Sequence, residues 1–190
     1  MSLTIDMLPA PYGMPDWQWL DLRVQLMLLE AGYKQAISVH IRSEVPGAQD
    51  NLKQLAKLLS SRGLSCQLHT EIIHSNYHLY VGKDSEAVKL LERSLSGELP
   101  LAEADLIHGR LSGFPETAIQ AFIAGDIIRS EDIPMDMRVR PEYIFGTFQF
   151  SKTNWREELA VSREWAKYIK TKAPLLFNQY LDEFTAMRIA

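Results

Sequence analysis

The chain has 190 residues, 46% hydrophobic and 23% charged, with a formal net charge of −4 and one cysteine, Cys66. A chain of this size buries a core without staples, and a lone thiol excludes both an internal disulfide and a thiolate zinc site. The acidic balance argues against nucleic acid and against an anionic membrane surface as partners. The opening MSLTIDMLPAPYGMP lacks the basic and apolar regions of a signal peptide. No apolar run reaches the ~18 residues of a membrane span. The expectation is a cytoplasmic protein of one domain, 1–190.

Residues 1–14 read as an irregular leader anchored by Tyr12 and Met14. A helix starts at Pro15-Asp16, where proline suits the first turn and an acid suits the dipole. Trp19, Leu22, Leu26 and Leu29 keep helical spacing, and Gly32 is a natural stop. Ala36 to Arg42 alternates as a half-buried strand, with Ile37, Val39 and Ile41 on one side and Ser38, His40 and Arg42 on the other. Val45-Pro46-Gly47 turns into a helix carrying Leu52, Leu55, Ala56 and Leu59, ended by Gly63. Leu64 to Ile73 and Tyr77 to Val81 read as a hairpin about Ser75-Asn76. Asp84 caps a third helix that closes at Gly97.

Residues 36–97 therefore spell β-α-β-β-α, most of a ferredoxin-like split unit within an α+β protein. In that topology the third strand lies between the first two, antiparallel to both. A fourth strand does not follow the third helix; it is either absent or supplied from far along the chain, with Tyr143–Ser151 as the expected segment. Residues 98–190 are expected as a mainly helical extension packed on this core. It comprises Leu101–Ser112, a helix from Pro115 to Ala124, an irregular connection over 126–141, and helices over 154–172 and 174–187. The last shows Leu176, Tyr180, Phe184 and Met187 on one side. Trp17, Trp19, Trp155 and Trp165 are expected to pack.

A turn at Ser75-Asn76 sets a register in which paired numbers sum to 151. Ile72 then faces Leu79 and Thr70 faces Val81, both on the apolar side. On the polar side Glu71 faces Tyr80, with His78 diagonal to it and His40 and Arg42 on the neighbouring strand. His40, Arg42, Glu71, His78 and Tyr80 are thus the expected site, holding an anion through Arg42 or moving a proton through His78 and Glu71. An amphipathic sheet face that is merely wetted, or covered by C-terminal helices, accounts for the same pattern. The same register places His69 opposite Gly82, roughly 13 Å from His78 at about 3.4 Å per residue. His74 points to the other face, so His69, His74 and His78 are not expected to share a metal.

A second candidate set is His108, Arg110 and Glu116, around a tight helix–turn–helix. Gly109 inside a helix costs roughly 1 kcal/mol against alanine and marks a close approach by a helix or a ligand. Glu116 to Ala124 contains no Lys or Arg, so a DNA-reading helix is not expected. The string L-I-H-G-R-L-S-G-F-P-E-T-A-I-Q-A-F, residues 106–122, resembles a G-x-L-x-G-(F/Y)-P-x-x-(A/V)-x-x-(A/F)-F segment of small uncharacterised prokaryotic proteins. Some archaeal members carry a Cys pair where Thr117 and Ala118 stand. The resemblance implies a prokaryotic protein and transfers no site.

Arg129, Arg138 and Arg140 punctuate the long connection and could clamp a carboxylate or phosphate. No Walker loop, dinucleotide fingerprint, G-x-S-x-G or H-E-x-x-H is present, so no cofactor or metal is indicated. Cys66 falls on the apolar strand face as an inert thiol. The leading expectation is a binding or regulatory module for a small anionic metabolite, paired as a homodimer. A small enzyme using His78 with Glu71, or His108 with Glu116, and a partner-binding protein without a small ligand are the alternatives.

Overall fold

A computed structural model describes residues 14–73 and 76–189, with 70–73, 188 and 189 described as backbone. Tyr12, His74 and Ser75 lie outside the described residues. The chain is α+β and divides into two compact units, Met1–Pro100 and Leu101–Ala190.

In the first unit, α1 (Asp16–Ala31) ends as its glycine requires. Gly32 adopts φ 88° and returns its N–H to the Leu29 carbonyl. Next come β1 (Ala36–Arg42), α2 (Ala48–Ser60), β2 (Ser65–Ile73), β3 (Asn76–Gly82) and α3 (Ser85–Leu95). The Asp84 carboxylate accepts the Ala87 N–H at 2.8 Å, capping α3 as its sequence demands. The sheet is antiparallel with order β1-β3-β2. Ile37, Val39 and Ile41 are buried while Ser38, His40 and Arg42 are exposed, the alternation expected of a half-covered strand.

The hairpin register differs from the one expected. Ile73 pairs with Asn76, so paired numbers sum to 149 at the turn and to 147 from His69↔His78 onward. Half of the four-residue slip comes from the earlier turn. The other half comes from a bulge in which β2 spends residues 70–72 where β3 spends Tyr77. Leu79 therefore faces Leu68, not Ile72, and Val81 faces Cys66, not Thr70. The slip is even, so each side chain keeps its face.

The two helices that follow strands lie on opposite faces. Ser60 of α2 hydrogen-bonds the Cys66 thiol on the apolar face. Glu92 of α3 reaches Gln67 and His69, which alternate with Cys66 onto the polar face. On that same side a Cβ on Gly82 would lie 2.9 Å from Val88 of α3. Burial raises the Cys66 thiol above its ordinary value, opposed by the Ser60 bond, which suits the expected inert thiol.

The second unit contains α4 (Leu101–Leu111), α5 (Glu116–Ala124), single-turn helices α6 (Met135–Arg138) and α7 (Pro141–Ile144), α8 (Trp155–Lys172) and α9 (Pro174–Ile189). Helices α5, α7 and α9 pack against α8. Tyr143–Ser151 is not the expected strand. It finishes α7 and continues through a turn as irregular chain, bridged at Ile127↔Ser151. Its aromatics enter a cluster instead: Phe145 lies 5.3 Å from Phe177 and 4.7 Å from Tyr180, and Phe148 meets Trp165 edge-on at 6.0 Å. Trp155 and Trp165 are buried as expected, whereas Trp17 and Met187 are exposed.

The loop before α8 is fixed by a buried carboxylate. Glu158, 2% exposed, accepts the Ser151 N–H at 2.8 Å and the Ser151 hydroxyl at 2.7 Å. Ser151 Oγ in turn accepts the Asn154 N–H, so the expected cap, Asn154, is held by another residue and makes no side-chain cap bond itself.

Gly109 faces Ile119, which its missing Cβ would meet at 2.6 Å, so its close partner is helix α5. Alanine there adds ~1 kcal/mol of helix propensity but overpacks the contact, which costs about 1–3 kcal/mol. Gly109→Ala is expected to lower stability in urea unfolding; a more stable variant would show that Ile119 yields freely.

Lys34 is buried, and desolvation lowers its pKa to about 7, opposed by the Asp21 charge. An unfolded lysine titrates near 10.4. Between about pH 7 and that value the unfolded chain binds more protons, so stability rises with pH and the penalty is fully present below about pH 7. Each pKa unit corresponds to about 1.36 kcal/mol, so the penalty is of the order of several kcal/mol. Lys34→Met should be the more stable protein at neutral pH and should lose this rise. Equal pH slopes in denaturant titrations of the two proteins would place the effect elsewhere.

Candidate functional site

Alternation sends even-numbered residues of β1 and β3, and Gln67 and His69 of β2, to the polar face. The register sorts them into rows across all three strands. Ser38, Tyr80 and Gln67 form one row; His40, His78 and His69 form the next. Directly opposed residues in an antiparallel pair have Cα atoms about 4.5–5.5 Å apart, so each row is continuous. The His40 and His78 rings are 6.1 Å apart, His78 and Tyr80 are 6.1 Å apart and nearly parallel, and His69 lies 6.3 Å from Tyr80.

Exposure grades along this face. Tyr80 is 1% exposed beneath α3, His78 is half-buried, and His40 is exposed. Glu92 hangs from α3 over the outer edge. Its Oε2 accepts from the Gln67 amide at 2.6 Å, and its Oε1 stands 3.4 Å from His69 Nδ1. The Glu92 carboxylate thus stands within ion-pair distance of the outer imidazole, both side chains about one-quarter exposed. Burial raises the pKa of Tyr80, and the Glu92 charge raises it further, so the phenol stays protonated at neutral pH.

Of the expected residues, His40, His78 and Tyr80 stand together. Arg42 falls in the next row, opposite Asn76, exposed and 3.5 Å from Glu44. Glu71 lies in the bulge, its side chain outside the described residues, and Gln67 takes the place opposite Tyr80 that Glu71 was expected to hold. His69, expected far from His78, is its direct partner, because the slip brings it four residues along. Gln67, His69 and Glu92 are the residues that sequence reasoning missed. Among the described residues no group of three or more His, Cys, Asp and Glu is placed to hold a metal ion. No described helix is long and apolar enough to cross a membrane.

The second candidate set is divided. Arg110 and Glu116 form a bidentate pair at 3.1 and 2.9 Å across the α4–α5 turn. Bonds from Arg110 and then Gln120 hold the Glu116 carboxyl below its usual range, so it is a weak base. His108 turns to the edge of Phe114 at 6.2 Å. The three arginines of the connection do not converge either: Arg140 is bound to Asp136 at 2.7 Å, Arg129 stands 3.8 Å from Glu131, and Arg138 is half-buried.

No family model, no curated protein and no solved structure matches this chain.

Glu92→Gln removes the smaller of the two influences on Tyr80. Its titration, followed by NMR of labelled tyrosine, should move down toward the ordinary range and remain above it. An unmoved Tyr80 would mean that the carboxylate does not reach the ring.

Proposed function

We propose that the first unit is a small-anion-binding module that uses the histidine row on the polar face of its sheet. The observation that carries this reading is the alignment of His40, His78 and His69 across three adjacent strands. Imidazoles as a class gain charge near pH 6.5, and a row of three presents hydrogen-bonding ring nitrogens from three adjacent strands. Arg42, two residues along β1, adds a permanent charge on the same face. A carboxylate or phosphate oxygen laid on the row receives charge-assisted hydrogen bonds from adjacent strands. Tyr80, neutral and buried, supplies the floor, and Glu92 orients the outer imidazole.

The order β-α-β-β-α and the central, antiparallel position of β3 support a ferredoxin-like reading of this unit. Its departures are α3 on the polar face and the lack of a fourth strand among the described residues. The placement of α3 serves the reading, since it covers the Tyr80 end of the face and leaves His40 exposed, with His78 and His69 half-buried beside it.

The test is calorimetric titration with inorganic phosphate and with citrate at about pH 6 and about pH 8, either side of the ordinary histidine range. Affinity should be greater at the lower pH, and His78→Asn should weaken it by roughly tenfold, about 1.4 kcal/mol. His40→Asn and Arg42→Ala should weaken it less. Affinity that is independent of pH, or unchanged in a folded His78→Asn protein, would refute the reading.

A further inference from the structure

The second unit holds a cleft of about 460 Å³ between residues 127–133 and the loop 146–150. That volume is within the ~300–1,000 Å³ of small-molecule sites. Its walls are tied to one another. Ile128 N–H donates to the Phe150 carbonyl at 2.9 Å, Lys152 N–H donates to the Asp126 carbonyl at 3.1 Å, and Ile127 bridges Ser151. Ser151 is held in turn by the buried Glu158. The cleft therefore stands on a braced frame, as a preformed site requires.

The lining divides by exposure. Tyr143, Phe148 and Phe150 are buried with their rings packed on one another, so the floor presents no open ring face. The exposed lining side chains are Arg129, Ser130, Thr147 and Gln149, and all four are polar. Tyr143 adds its hydroxyl, 3.1 Å from that of Ser130. One cation and no carboxylate stand in this lining, in a chain whose 24 acids outnumber its 20 Lys and Arg. The cleft is thus locally positive on an acidic protein. The contact of Arg129 with Glu131, 3.8 Å between groups 78% and 70% exposed, is a weak surface pair that gives way to a better-placed anion.

We propose that this cleft is a second ligand site, for a small aliphatic anion that carries hydroxyl groups. Its carboxylate or phosphate meets the Arg129 fork, which matches both oxyanions. Its hydroxyls need partners that both donate and accept, and the Ser130 and Tyr143 hydroxyls, the Thr147 hydroxyl and the Gln149 amide are of that kind. An aromatic body finds the rings of the floor already packed. A cationic one meets the guanidinium with no carboxylate in the lining to offset it. This inference stands apart from the histidine row, which belongs to the other unit.

The experiment is NMR-monitored titration of the full chain with tartrate, glycerol phosphate, inorganic phosphate and glycerol. It is run at about pH 8, where ordinary imidazoles are neutral, and repeated in His78→Asn. Saturable binding of tartrate or glycerol phosphate is expected, with shifts at Ser130, Thr147 and Gln149. Whichever of the two binds more tightly names the anionic group. Inorganic phosphate and glycerol should each bind more weakly by about tenfold or more. Arg129→Ala should cost about tenfold, Arg129→Lys less, and His78→Asn nothing. Thr147→Val, at an exposed position, should weaken tartrate and glycerol phosphate several-fold and leave inorganic phosphate unchanged. Inorganic phosphate binding as tightly as glycerol phosphate, or a Thr147→Val protein with unchanged affinities, would overturn the hydroxyl part of the proposal. Full affinity in a folded Arg129→Ala, or no saturable binding of either hydroxylated anion, would overturn the site itself. Should Arg129→Ala unfold, Arg129→Gln provides the same reading.

Discussion

A β-ladder offers side chains only two faces and one set of opposite partners, so the chemistry of the first unit depends on how far β2 slides along β3. The observed slide puts an imidazole from each strand into one row and a serine, a tyrosine and a glutamine into the next. Helix α3 then decides which row is accessible. Its apolar side closes over Gly82 and Tyr80, and its Glu92 reaches past them to the outer strand. One end of the face is thus core and the other is surface, separated by a single pleat.

The second unit is organised about a different constraint, the buried charge of Glu158. A carboxylate removed from water is tolerated only where donors surround it. Here one serine supplies both donors, a backbone N–H and a hydroxyl. The result is a fixed point at the end of the irregular segment 145–150, whose Phe145, Phe148 and Phe150 join the aromatic cluster. Phe148 illustrates the economy of this arrangement: its ring meets Phe114 and Trp165, from two other segments of the unit, as well as Phe150 of its own loop.

Much of the first unit was legible because its elements obey local rules. The α1 stop at Gly32, the alternation of β1, the stripe of α2 and the Asp84 cap each follow from residues within a few positions of one another. The strand order was legible too, as a property of the β-α-β-β-α succession. The register was not, since no residue among 70–72 announces that β2 bulges there. That bulge, together with a turn one residue earlier than expected, hid the partnership of His69 with His78, and with it the centre of the site. Glu92 was illegible for another reason: nothing in the α3 sequence says which sheet face that helix covers. In the second unit, four-residue helices are too short to show a period. The aromatic run 143–150 imitated a strand because β propensity measures packing on a half-buried surface, which a cluster also provides.

The bulge has a further consequence, for how such a chain can vary. Residues 70–72 form slack between the ladder of residues 65–69 and the Ile73↔Asn76 pair. Two residues lost or added within that slack would alter its length and leave every side chain beyond it on its own face. A single-residue change there is taken up by the bulge, which is the device that lets unequal numbers of residues face each other between paired stretches. Changes of length are therefore borne more easily here than within the paired residues 65–69, where a one-residue shift would turn the strand over.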